Sequence, residues 1–232
     1  MKTLLIYFII VILVSACGTT TIRDTSEPTS AKSSTTAVTS SVQSEALDWF
    51  EKGYADSDLG SYEASINSYD KALAIEPDYY EAWYNRGVAL VELGNYEAAI
   101  DSYDKALAIN PDDHEVWYNR GVALDNLERY EDAIDSYDKT LAIKPDDHEA
   151  WYNRGIALYN LDRYEAAIEN YDKALAINPD FHEAWDSRGV ALGNLDRYQE
   201  AIESYDKALA IKPDFKLARF NRRIALQQLN IR

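Results

Sequence analysis

From Ala46 onward the apolar positions follow two superimposed rhythms. Within segments of about 13 residues they recur every three to four positions, the spacing that gives an α-helix one apolar face. The segments themselves alternate with short polar turns, such as LGNY at 93–96 and LERY at 127–130, so each pair of segments predicts a helical hairpin. The hairpin then returns every 34 residues. EAWYNRGVAL from Glu81 reappears as EVWYNRGVAL from Glu115, EAWYNRGIAL from Glu149 and EAWDSRGVAL from Glu183. Pro77, Pro111, Pro145, Pro179 and Pro213 end successive units in phase. A unit this short cannot bury its apolar face alone, so the folding element is the repeat stacked on its neighbours, not a globular domain.

The residue types inside the unit have packing reasons. Gly87 with Ala99, Gly121 with Ala133, Gly155 with Ala167 and Gly189 with Ala201 place small residues where the two helices of a hairpin must approach closely. Trp83 and Tyr103 and their equivalents are expected to fill the space between successive hairpins. Asp78, Asp112, Asp146 and Asp180 each precede a Glu by three residues, the spacing of a capping box, and are expected to be N-caps. Arg86, Arg120, Arg154 and Arg188 recur with Asp104, Asp138, Asp172 and Asp206, which suggests ion pairs between hairpins. Unit one is looser, with Ser65 at the small position, as suits an end repeat.

These positions resemble the tetratricopeptide repeat over residues 46–215. Trp83, Gly87, Ala99, Tyr103, Ala106 and Pro111 fall at positions 4, 8, 20, 24, 27 and 32 of the second unit, where the family pattern expects them. The resemblance implies an all-α fold: a right-handed superhelical solenoid of five hairpins (46–79, 80–113, 114–147, 148–181 and 182–215) closed by a capping helix at 216–232. Arg223 stands where the other units carry the small Gly, so a second helix is not expected to pack there.

Charge and the N-terminus change the picture further. The net charge is −17, but residues 1–16 carry +1, 17–44 carry 0 and 216–232 carry +5, which leaves −23 on 45–215. A body so acidic repels phosphate backbones, and no nucleic acid partner is expected. Residues 1–16 read as a secretory signal peptide, with Lys2 and an apolar run from Leu4 to Val14 too short to span a bilayer. Val14-Ser15-Ala16-Cys17 resembles the bacterial lipobox, which implies acylation (palmitate or a similar chain) of Cys17, the chain's one cysteine, and an envelope lipoprotein held on the non-cytoplasmic side, in the outer membrane where one exists. Between 17 and 44 the chain is Ser/Thr-rich and without aromatics, which predicts a disordered tether.

Candidate chemistry is sparse. His114, His148 and His182 lie one repeat apart, too far for a shared metal, and no catalytic set or cofactor motif accompanies the acids. No enzyme activity, metal, cofactor or small-molecule substrate is expected. Helix geometry puts positions 2, 5, 6, 9, 12 and 13 of each first helix on the arc opposite Trp and Gly. In the family that arc lines the concave groove, which implies a peptide-binding surface of Tyr84, Asn85, Val88, Tyr118, Asn119, Val122, Tyr152, Asn153 and Ile156, with Asn221 continuing it in the capping helix. An Asn at this position resembles the asparagine ladder in the repeat superhelix of O-linked N-acetylglucosamine transferase. The implied function is a membrane-anchored scaffold binding a protein or extended peptide, the alternative being a fixed subunit of an envelope assembly machine. On this view the three Asn are free of structural duty, and replacing them by Ala should leave the fold intact or slightly more stable.

Overall fold

Each unit folds as two antiparallel helices because its two apolar stripes face each other across a three-residue turn that reverses the chain. The structure, a computed structural model, describes residues 32–231, with side chains from 43 to 230. The signal peptide, Cys17 and the start of the expected tether lie outside the described residues. The chain divides into two units, Met1–Val38 and Thr39–Arg232, and the repeats occupy the second.

Eleven helices, and no strands, are found among the described residues. They are α1 (Lys32–Asp58), α2 (Tyr62–Ile75), α3 (Tyr80–Glu92), α4 (Tyr96–Ile109), α5 (His114–Asn126), α6 (Tyr130–Ile143), α7 (His148–Asn160), α8 (Tyr164–Ile177), α9 (His182–Asn194), α10 (Tyr198–Ile211) and α11 (Lys216–Ile231). They pair as five hairpins, α1/α2 to α9/α10, with α11 in the place of a sixth first helix. One difference from expectation lies at the start: α1 begins at Lys32, inside the Ser/Thr-rich stretch assigned to the tether. Its packed part, from the buried Ala46, supplies a formed helix, and extending a formed helix costs far less than nucleating one.

The turns show why short polar linkers suffice. At the end of α3, Gly94 takes φ +74° and donates to the Val91 carbonyl while Asn95 donates to that of Leu90, a Schellman closure. Glu128, Asp162 and Asp196 hold the equivalent left-handed position at φ 58° to 60° without being glycine. The same bonds recur there, from Arg129 to Leu124 and from Arg163 to Leu158.

Helix starts depart from the expected caps by one residue. The N-cap positions are Tyr79, Asp113, Asp147 and Phe181, not Asp78, Asp112, Asp146 and Asp180. Asp113 accepts from the Glu115 and Val116 amides and Asp147 from that of Ala150, whereas Tyr79 and Phe181 make no side-chain cap. These two rings pack instead, Tyr79 on Phe50 at 5.0 Å and Phe181 on Tyr152 at 4.7 Å between ring centres. Asp113 and Asp147 are half-buried while Asp112 and Asp146 are exposed, so the former are the side chains within reach of the first-turn amides.

Close approach within a hairpin is set by one pair. A Cβ on Gly87 would lie 2.5 Å from Cε1 of Tyr103, and at Gly53, Gly121, Gly155 and Gly189 the matching distances to Tyr69, Tyr137, Tyr171 and Tyr205 are 2.5–2.7 Å. The tyrosine therefore lies inside its own hairpin, against the glycine, and not between hairpins as the sequence suggested. Ala99, Ala133, Ala167 and Ala201 are fully buried alongside. Each hairpin then packs its second helix on the next first helix, α2 on α3, α4 on α5 and so on to α10 on α11.

Candidate functional site

Successive first helices approach one another, α3 with α5, α5 with α7, α7 with α9 and α9 with α11, while successive second helices do not approach as closely among the described residues. The first helices therefore line the inside of the curve. Their exposed arc is the expected groove, and Val88, Val122 and Ile156 are half-buried along it.

Asparagine and tyrosine on this face are not free side chains. Asn119 Nδ2 donates to the Tyr84 hydroxyl at 3.1 Å, and Asn153 Nδ2 to the Tyr118 hydroxyl at 2.8 Å. Tyr84 in turn donates to Oε1 of Glu115 at 2.7 Å, so Glu115 and Asn119, one turn apart on α5, hold the hydroxyl of the hairpin before. Position 5 of one unit thus meets position 6 of the next. The drifted fifth unit keeps the rule with other atoms: Tyr152 pairs with Ser187 at 3.3 Å, and Asp186 accepts from Asn221 at 3.2 Å. At the first junction position 5 is Phe50, which has no hydroxyl, and Asn85 falls back on the Glu81 carbonyl of its own helix at 2.7 Å. The expectation that all three Asn are free of structural duty is therefore corrected. Asn119 and Asn153 tie hairpins together, and only Asn85 is without an inter-hairpin bond.

The tyrosines form a second continuous layer. Tyr84, Tyr118 and Tyr152 each stack, tilted, on the buried tyrosine of the same hairpin, at 6.3 Å to Tyr103, 6.0 Å to Tyr137 and 5.8 Å to Tyr171. Burial, then the charge of Glu115, holds the Tyr84 hydroxyl far above the usual tyrosine range, and burial followed by Glu149 does the same for Tyr118. Both stay neutral donors and acceptors. Burial likewise pushes the Asp186 carboxyl up to about 6, against the lowering effect of its bond from Asn221.

Positions 2 of the inner face carry Glu81, Glu115, Glu149 and Glu183, the first three exposed. Asp125, at position 12 of its unit, accepts at Oδ2 from the Tyr137 hydroxyl at 2.7 Å, and burial raises its pKa to about 6. From Glu81 to Asn194 positions 2, 5, 6, 9, 12 and 13 include no Lys or Arg. The inner face is acidic, aromatic and amide-lined.

The arginines and tryptophans bind the frame that presents this face. Arg86, Arg120, Arg154 and Arg188 pair with Asp70, Asp104, Asp138 and Asp172 of the preceding hairpin at 2.6–2.7 Å. Their other nitrogens reach Ser102, Ser136, Asn170 and Ser204 in the second helix of their own hairpin. Each arginine thus joins three helices. Trp83, Trp117, Trp151 and Trp185 donate their indole N–H to the carbonyls of Pro77, Pro111, Pro145 and Pro179, and Arg219 does this for Pro213. His148 and His182 present their rings edge-on to Phe181 and Phe215. Among the described residues no group of three or more His, Cys, Asp or Glu is placed to hold a metal.

The Tyr–Asn junction was the feature the sequence hid. Its one signal was that Asp186 and Ser187 depart together from the Tyr-Asn of the earlier units, as expected of residues serving two neighbouring bonds.

Models of the tetratricopeptide repeat match residues 50–114 and, in three further copies, 114–147, 148–181 and 182–215. None of the curated proteins compared matches the chain. Among solved structures, YrrB, described as a TPR protein with an unusual peptide-binding site, is 25% identical with a TM-score of 0.71, over 82% of this chain and 97% of its own. MamA of Desulfovibrio magneticus RS-1 is 24% identical with a TM-score of 0.71, over 74% of this chain and 97% of its own. A tetratricopeptide repeat protein of Parabacteroides merdae ATCC 43184 is 23% identical with a TM-score of 0.73, over 81% and 74%. The last two likenesses are likenesses of fold.

Proposed function

The chain belongs to the tetratricopeptide-repeat family, and from that premise we propose that it is a scaffold whose inner face binds an extended segment of a partner protein, neutral or basic in charge. One observation carries this reading: across α3 to α9 the inner face offers carboxylates, amides and tyrosine edges without a cation. An extended peptide laid along it meets acceptors for its backbone N–H groups and for Lys or Arg side chains at one-hairpin intervals. The peptide-binding site of the similar YrrB supports the same class of ligand. Contributing residues are Tyr84, Asn85, Val88, Tyr118, Asn119, Val122, Tyr152, Asn153, Ile156 and Asn221, with the tyrosines and every amide but Asn85 held by the junction bonds. Rigidity here lowers the ordering cost of binding.

The lipobox-like sequence at Cys17 supports a further part of the reading, in which the scaffold is lipid-anchored on the outer side of a membrane. No helix among the described residues is long and apolar enough to cross one.

The test is a titration of the full chain with labelled 12-residue peptides graded from acidic to basic. Basic peptides should bind and acidic ones should not. Val88→Arg with Val122→Arg should weaken the interaction by about tenfold or more while the circular dichroism spectrum is kept. Equal binding by the double variant would remove the inner face from the function.

A further inference from the structure

α11 stands where a sixth hairpin would begin, but no second helix follows it among the described residues. In the other hairpins the slot beside the first helix is closed by the second helix, and Leu124 and Leu192 are fully buried beneath it. The equivalent Leu226 of α11 remains half-exposed. It lines an open groove with Leu209 of α10 and with Lys216, Arg219, Phe220, Arg222 and Arg223 of α11. Phe220 is 51% exposed there, while Leu217 and Ile224, 54% and 39% exposed, lie outside the groove at inner-face positions 2 and 9. The capping helix is thus not the purely solvating surface its charges suggested.

Its charge is the reverse of the body's. Residues 216–232 hold five Lys or Arg and no acid, against −23 over 45–215. Arg222 is neutralised by Asp206 at 2.5 Å, and Arg219 turns to the Pro213 carbonyl. Arg223 lies over the Phe220 ring at 5.3 Å, and neither it nor Lys216 pairs with a carboxylate among the described residues. Arg223 stands where Gly189 lets Tyr205 approach, so an occupant cannot repeat that contact, and its carboxylates would complement the guanidinium.

We propose that this end groove docks an acidic amphipathic helix of a partner protein. The apolar floor takes the apolar face of the helix, and Lys216 and Arg223 take its carboxylates. A concave slot between α10 and α11 fits a helix better than it fits a flat lipid surface. The inference rests on α11 and is independent of the inner-face reading.

The protein's own α6 is a convenient probe, since YEDAIDSYDKTLAI is amphipathic with four acids and one Lys. A labelled α6 peptide, lengthened by helix-forming residues so that it is helical alone, is titrated into the full chain by fluorescence anisotropy. Saturable binding is expected, weakened about tenfold by Lys216→Glu with Arg223→Glu and by Phe220→Ala with Leu226→Ala, and unchanged by Val88→Arg with Val122→Arg. Three results would overturn the proposal. The first is no binding. The second is binding that survives both α11 variants. The third is an α11-dependent interaction with phosphatidylglycerol vesicles, or self-association in sedimentation, in place of peptide binding.

Discussion

The close contact of Gly121 with Tyr137 allows one substitution, Gly to Ala, to be tested in two settings that predict opposite signs. In a helix interior the change gains about 0.5–1 kcal/mol, because Ala loses less backbone entropy. Gly193, in α9, has nothing within 4 Å of an added Cβ, so Gly193→Ala should stabilise by that amount. At Gly121 the added Cβ would lie 2.6 Å from Cε1 and 2.9 Å from Cδ1 of Tyr137. That ring is fully buried, and its hydroxyl is tied to Asp125 at 2.7 Å, so it cannot swing aside without stranding a buried carboxyl. Overpacking of this kind costs about 1–3 kcal/mol, which outweighs the helix gain. Gly121→Ala should therefore be destabilising, separated from Gly193→Ala by about 1–3 kcal/mol. Urea unfolding followed by circular dichroism measures both, with the slope checked because a repeat array need not unfold as one unit. Arg223→Ala, at the same repeat position with no helix above it, serves as the neutral control. Two equal stabilisations would refute the claim that this Gly–Tyr contact sets the hairpin spacing.

Asp186→Asn should stabilise the fold by about 1–2 kcal/mol at pH 7, and the gain should vanish near pH 4. The sign follows because the folded carboxyl titrates at about 6, above its unfolded value, so its stability contribution is complete at low pH and is lost as pH rises through 6; thermal melts across pH decide it. In a double-mutant cycle, Asn119→Ala and Tyr84→Phe should each destabilise and couple by about 0.5–1.5 kcal/mol, whereas Asn85→Ala should be neutral or slightly stabilising. Additive losses would mean the junction bond carries nothing. Cys17→Ser should leave an unacylated, slowly processed precursor, which mass spectrometry of the native N-terminus reads directly; a wild-type terminus at another residue would defeat the anchor.

The repeat itself was legible because its signals are local and redundant. The 34-residue period, the small residue at Gly87 and the proline at Pro111 each mark the same hairpin, and the structure follows them. The N-caps were misplaced by one residue because Asp112 and Asp113 are chemically equal in sequence, and only the path of the loop decides which side chain reaches the first amides. Tyr103 was assigned to the wrong gap because helical spacing gives the face a ring occupies but not its reach across to Gly87. Asn119 looked unemployed for a different reason: its partner, Tyr84, lies in another hairpin, and the bond depends on how far successive hairpins rotate. Nothing in one repeat encodes that rotation. The exposed apolar residues of α11 were masked by their basic neighbours, which made the helix read as solvent-facing.

The most direct measurement of the scaffold reading is site-specific photo-crosslinking in the native host. A photoreactive residue at Glu149, exposed on the inner face, is compared with one at Asp135, exposed on the outer second helix α6. An adduct at 149 to a defined neutral or basic segment of one partner is expected, and none at 135. Adducts at 135 alone, or equal unselective labelling at both, would contradict it.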